Sequence, residues 1–284
     1  MTLTLRPGRP EDASACGTIC YEAFRTISES YNFPPDFPSA EVATGLMSML
    51  LSKPDVYSVI AEADGRVIGS NFLWEDTIAG VGPITVDALV QNGGVGRRLM
   101  DDEMERSRRK GFAGVRLVQA AFHNRSLSLY AKLGFVVREI LACMQGPAIS
   151  ERIPGYEVRP VTQEDAEACN ALCRRVHGHE RSIAVHDGIH QSTAVLVVRN
   201  GRVTGYTSLL GFFGYAVAET NGDLQALIAA APAFAGPGIL VPVRNGDLFR
   251  WCLEKNLRVV QPMTLMSVGL YNEPAGACLP SVLY

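Results

Sequence analysis

The chain lacks a surplus of charge of either sign. Charged residues make up only 19% of its 284 positions, and 26 basic side chains face 29 acidic ones for a net charge of −3. No global basic field exists to hold nucleic acid or an anionic membrane. The densest basic run, Arg106, Arg108, Arg109 and Lys110, has helical spacing and acidic neighbours and reads as a solvated helix end. A disulfide framework is missing as well. Seven cysteines, an odd number and widely scattered, point to free thiols in a reducing, cytoplasmic setting. The N-terminus shows no basic start followed by a long apolar run, so no signal peptide is expected. One stretch without charge, Leu224 to Val243, is broken by Pro232, Gly236, Pro237, Gly238 and Pro242. It reads as an alanine-rich helix, a loop and a buried strand, not a membrane span.

What the chain does have is an internal repeat. Leu3 to Cys20 reads LTLRPGRPEDASACGTIC, and Tyr156 to Cys173 reads YEVRPVTQEDAEACNALC. At one offset Arg6 matches Arg159, Pro7 matches Pro160, Asp12 matches Asp165, and Cys16 and Cys20 match Cys169 and Cys173. Gly65-Arg-Val-Ile-Gly69 is echoed by Gly201-Arg-Val-Thr-Gly205, and Asn124 with Tyr130 by Asn245 with Trp251. The landmarks recur in one order, so the halves are expected to share a fold. The boundary falls near Gly146 to Pro154, giving segments 1–147 and 155–284. The repeat also speaks against zinc at Cys169, Cys173 and the histidines 177, 179, 186 and 190, because Cys16 and Cys20 have no histidine nearby. These cysteines read as small core positions, and no metal is expected.

In the first half the patterning predicts a strand at 2–6, helices at 10–28 and 39–52, and strands at 57–63 and 67–75 about an Asp64-Gly65 hairpin turn. A strand at 81–90, a helix at 94–110, a strand at 115–120, a short helix at 124–133 and a last strand at 135–144 follow. The fold class is α/β in the layered α+β sense: two tandem domains, each a central mixed, mostly antiparallel sheet flanked by helices.

The segment most informative for chemistry runs from Val86 through Gln91, Asn92, Gly93, Gly94, Val95, Gly96 and Arg97 into an amphipathic helix. A glycine turn ahead of a helix lets free amides and the helix dipole converge on one anion, and a diphosphate suits it. Alone this signal is weak. The third glycine of a dinucleotide fingerprint and the lysine of a phosphate-binding loop are both missing. A second segment follows: Asn124-Arg-Ser-Leu-Ser-Leu-Tyr130-Ala-Lys-Leu-Gly-Phe135.

With both segments in order, residues 1 to about 145 resemble the GNAT superfamily of N-acetyltransferases. Its pyrophosphate motif, Q/R-x-x-G-x-G/A, corresponds to Gln91 through Gly96. The resemblance implies acetyl-CoA as co-substrate, with its diphosphate wrapped by Gln91 to Arg97 and its pantetheine arm paired with the backbone of Thr85 and Val86. It implies that Asn124 hydrogen-bonds that arm and that Tyr130 protonates the leaving thiolate. One departure is Ala88, where the family often has proline. The general base stays open among Glu75, Asp76, Asp87, His123 and a water chain. The expected activity is transfer of acetyl to a primary amine of a small molecule or peptide. A non-catalytic acyl-CoA sensor and a transferase of longer acyl groups are the alternatives. In the second half, 214–228 has no room for a diphosphate loop. That half is expected to be a degenerate copy that shapes the acceptor site, with the tail 269–284, which has little helical or strand pattern, folding back over the junction or entering a homodimer interface.

Overall fold

The computed structural model describes residues 3–283. Two compact units divide the chain. Residues up to Leu117, with His123–Phe135 and Leu283, form the first, and Val118–Phe122 with Val136–Val282 form the second.

The first unit opens with β1 (Leu3–Pro7), a single 3-10 turn, and α1 (Ala13–Ser30). Residue 2, expected in the first strand, lies outside the described residues. α2 (Ala40–Ser52) starts at Ser39, whose hydroxyl accepts from the Val42 amide and satisfies one free donor of the first turn. β2 (Val56–Ala63) and β3 (Arg66–Trp74) form the expected hairpin, with Asp64 at φ 51° and Gly65 at φ 76°. The strand expected at 81–90 is instead broken in two. β4 (Ala79–Val81) and β5 (Thr85–Val86) are separated by Gly82-Pro83, and residues 88–90 turn as a 3-10 helix. α3 (Val95–Lys110), β6 (Gly114–Ala120) as far as Leu117, and α4 (Asn124–Lys132) complete the unit. The strand order is β1-β2-β3-β4-β6, with β5 also paired to β3. Val59, Ala61, Ile68, Val95 and Leu99 pack the sheet against α3.

The second unit holds β7 (Val136–Gln145), β8 (Glu157–Pro160), α5 (Ala166–His177), α6 (Ser182–His190), β9 (Val195–Arg199) and β10 (Arg202–Thr207). It continues with β11 (Ala216–Ala218), α7 (Asn221–Ala230), β12 (Ile239–Pro242), α8 (Gly246–Glu254), β13 (Arg258–Gly269) and β14 (Ala277–Leu279). One sheet runs β14-β11-β10-β9-β8. In the other, β7 lies between β13 and β12, antiparallel to both. Ala121 N donates to Pro262 O at 3.0 Å and Gln119 Nε2 to Thr264 Oγ1 at 2.6 Å, bringing 118–122 beside β13.

By the repeat, β6 corresponds to β12 and β7 to β13. The order β6-β13-β7-β12 thus sets the last strand of each copy beside the penultimate strand of the other. This exchange is why Val136–Gln145 belongs to the second compact unit although its sequence continues the first copy. The tail, read as patternless, supplies β14, which pairs with β11 through Ala216↔Leu279 and Ala218↔Ala277.

The repeat is visible in side chains too. Arg6 forks onto Asp12 at 2.8 Å through both oxygens, and Arg159 onto Asp165 at 2.7 and 2.8 Å. Each aspartate also accepts a backbone amide three residues back, from Arg9 and Thr162, at 2.9 Å. All seven cysteines are buried, and none is in a disulfide. Among the described residues no helix is long and apolar enough to cross a membrane, and no three His, Cys, Asp or Glu side chains converge on a metal position.

Candidate active site

β4 and β5 create the opening. β4 pairs with β3 on one side and, in parallel, with β6 on the other through Ala79↔Val115 and Gly80↔Arg116. After Gly82-Pro83 the chain keeps only one ladder: β5 pairs with β3 through Gly69↔Val86 and Ser70↔Thr85. Among the described residues no strand pairs with the edge of Thr85 and Val86 away from β3, which leaves room there for an extended ligand. Thr85 is buried, its hydroxyl 3.2 Å from that of Ser70.

The glycine turn closes one end of this opening. Asn92 and Gly94 both have left-handed backbone, with φ 71° and 79°. Gly94 is the N-cap of α3 and has no side chain to satisfy the first-turn amides. Val95 is buried beneath the turn, whereas Asn92, Gly93, Gly94 and Arg97 are exposed. At Gly96 an added Cβ would meet only Val86 Cγ2 at 3.7 Å and Leu129 Cδ2 at 3.8 Å, ordinary contacts. The protein itself does not demand glycine there, which fits a ligand lying against that backbone.

Gln91 ties the turn to the strand. Its Nε2 donates to Val86 O at 3.2 Å, and its Oε1 accepts from Arg125 at 3.1 Å. Arg125 was missed in the sequence, where only its neighbour Asn124 drew notice. It brings a cation to the turn from α4. Arg97 is half-exposed and 3.5 Å from Asp101, while Arg98 reaches back to Leu3 O at 3.1 Å. Of the two arginines after Gly96, only Arg97 stays on the turn.

α4 supplies the other wall. Asn124 is exposed on its first turn, and Tyr130 is buried two turns later against Phe135, ring centroids 6.1 Å apart. Burial, then the nearby Glu103 carboxyl, pushes the Tyr130 phenol far above its usual range, so it carries its proton at neutral pH. The candidate bases fare unequally. Glu75 is engaged by Arg106 and by Lys110 at 3.6 Å, and Asp87 by Arg66 at 2.7 Å. Asp76 accepts the Thr77 amide at 2.7 Å. His123 is held below its usual pKa by burial and then by Arg125, so it is neutral, a proton acceptor in form, at pH 7.

Residues 54–137, which include the broken strand, the turn and all of α4, match the family described as acetyltransferase (GNAT) domain. The chain carries a GNAT acetyltransferase domain. It is an acyltransferase that uses acetyl-CoA as donor. An IAA acetyltransferase of Azospirillum brasilense is 29% identical over 115 residues, which is 39% of this chain and 75% of that relative. A solved structure from Pyrococcus horikoshii, described as an acetyltransferase, matches 99% of this chain and 92% of its own, with TM-score 0.74 and 18% identity. A GCN5-related N-acetyltransferase from Sphaerobacter thermophilus matches 95% of this chain and 96% of its own, with TM-score 0.62 and 16% identity. At these identities the last two speak to fold alone, and they do so along nearly the whole chain, beyond the GNAT domain itself.

Proposed function

We propose that this GNAT domain transfers acetyl to a primary amine of a small molecule or peptide by direct attack. The observation that carries the reading is the junction of three features in one unit: the free edge of Thr85 and Val86, the uncapped start of α3, and Tyr130 on α4. Acetyl-CoA supplies an activated acetyl thioester. Amides from Gly93 to Arg97, with Arg97 and Arg125, would hold its diphosphate. Asn124 and the β5 backbone would hold the pantetheine arm, fixing the orientation on which the rate depends. Tyr130, kept protonated by its surroundings, would give its proton to the departing sulfur. The amine must arrive unprotonated or lose its proton nearby, and the neutral ring of His123 and ordered water are the available acceptors. Residues 155–284 form, on this reading, a degenerate copy that keeps the scaffold and takes no part in the chemistry.

The test is thiol release. Incubating the protein with acetyl-CoA and a panel of small-molecule and peptide amines should liberate free CoA with at least one amine and yield its N-acetyl product. Binding of acetyl-CoA with no release across the panel would favour a sensor. Faster release from longer acyl-CoAs would move the assignment to another acyl group.

A further inference from the structure

A pocket of about 390 Å³ lies within the second unit, where β11 runs into α7, β12 runs into α8, and β14 begins. The size suits a small organic ligand. Asn245 lines it, the counterpart of Asn124 in the repeat, so the second copy keeps a pocket at its own version of that place. Its chemistry has changed in kind. Thr220 caps α7 and Asn245 caps α8, so neither helix start offers a diphosphate its open amides.

Four side chains decide what the pocket can hold. Glu139 reaches it from β7 and is only 6% exposed. Its Oε1 accepts from Arg244 Nε at 2.6 Å, and no described residue donates to its Oε2. A carboxylate oxygen so withdrawn from water favours a charged donor. Arg244 is exposed, and its other acidic neighbour, Glu273, stands 3.6 Å away, beyond a normal hydrogen bond. Asn221 and Asn245 bond each other at 2.8 and 2.9 Å, which leaves each amide a second N–H. Glu219, also in the lining, is engaged by Arg175 at 3.0 Å and by Arg202. A lone cation on Glu139 would meet Arg244, and a lone anion on Arg244 would meet Glu139. A ligand that carries both charges satisfies both groups.

We propose that this pocket binds a small zwitterion of the amino-acid class, with its ammonium on Glu139 Oε2 and its carboxylate on Arg244 and the amides of Asn221 and Asn245. The site belongs to the second copy and uses none of the residues proposed for acetyl transfer.

The test is melting and titration calorimetry of the whole chain with the common amino acids at millimolar concentration. At least one should bind and raise the melting temperature by mass action. Its N-acetyl derivative, which has lost the ammonium, and its carboxamide, which has lost the carboxylate, should each bind at least about 10-fold more weakly. Glu139→Gln keeps the shape and removes the charge, and it should weaken the amino acid by a similar factor while leaving acetyl-CoA affinity unchanged. The derivative series needs no variant, so a Glu139→Gln protein that fails to fold leaves the test standing. Failure of every amino acid to bind, or equal binding of both derivatives, would overturn the proposal. So would full affinity in Glu139→Gln, which would place the amino acid elsewhere in the chain.

Discussion

α3 and α7 begin at equivalent places in the two copies of the repeat, and they treat their free amides oppositely. α3 starts at Gly94, which has no side chain to cap it, and its N-terminus faces solvent. α7 starts at Thr220, whose hydroxyl accepts from the Asp223 amide while Asp223 returns to the Thr220 amide at 3.1 Å. Asp223 is fully buried and also takes Arg199 at 2.9 Å and Thr204 at 2.6 Å. One helix leaves its dipole uncapped at the surface, and the other spends it on its own carboxylate. The preceding strands differ in the same sense. β5 has a ladder on one side only, whereas β11 has β10 on one side and β14 on the other. Asn245, the counterpart of Asn124, is locked to Asn221 by a mutual amide pair at 2.8 and 2.9 Å. On the proposed reading, the second copy has an internal partner at each place where the first would hold its ligand.

The largest effect expected from breaking this contrast is at Gly96. Gly96→Glu sets a carboxylate where a diphosphate would lie, and like-charge opposition costs several kcal/mol. The Kd for acetyl-CoA should rise on the order of 100-fold or more, with the melting temperature unchanged because the added Cβ has room. Titration calorimetry beside a melting curve checks both halves of that statement. Next comes Tyr130→Phe, which keeps the ring against Phe135 but removes the proton. Turnover should fall roughly 10²–10⁴-fold with acetyl-CoA affinity little changed, read by steady-state thiol release.

On the other side of the comparison, Asp223→Asn should leave acetyl-CoA affinity alone and cost about 3 kcal/mol of stability, since it leaves Arg199 only the more distant Glu219 at 3.8 Å and weakens a buried network. Burial works against ionisation of Asp223, but hydrogen bonds from Arg199, Thr204 and Thr220 outweigh it and hold the pKa below 3.8. Its contribution is therefore complete above 3.8 and lost as pH falls through the lower folded value. The gap between wild type and Asp223→Asn in denaturant melts should be full at pH 6 and close under strong acid. The smallest effect should come from the matched pair Asp12→Asn and Asp165→Asn. Each removes one Arg fork and one amide cap, for about 1 kcal/mol apiece. Denaturant melts of the single variants should agree within experimental scatter if the two copies keep this device equally.

Much of this was legible because it is local. The Asp64-Gly65 turn and its counterpart at Asn200 and Gly201, with φ 53° and 71°, follow from two adjacent residues. The turn at Gln91 to Gly96 and the start of α4 at Asn124 are likewise written within a few positions. The exchange of β7 and β13 was not legible, because a strand's apolar pattern records burial and not which strand lies beside it. The tail misled for a similar reason: Ala277–Leu279 is too short for periodicity to show, and it is a strand because β11 offers an unfilled edge. Gly82-Pro83 broke a strand read as continuous, and that break is what frees β5.

The most direct test of the contrast between the two copies is stoichiometry. Acetyl-CoA titrated into the whole chain should bind at one equivalent, and Gly96→Glu should remove that single site. Two equivalents in wild type, or one equivalent persisting in Gly96→Glu, would place a donor site where the structure fills it with Asp223, β14 and the Asn221–Asn245 pair, and would contradict the account.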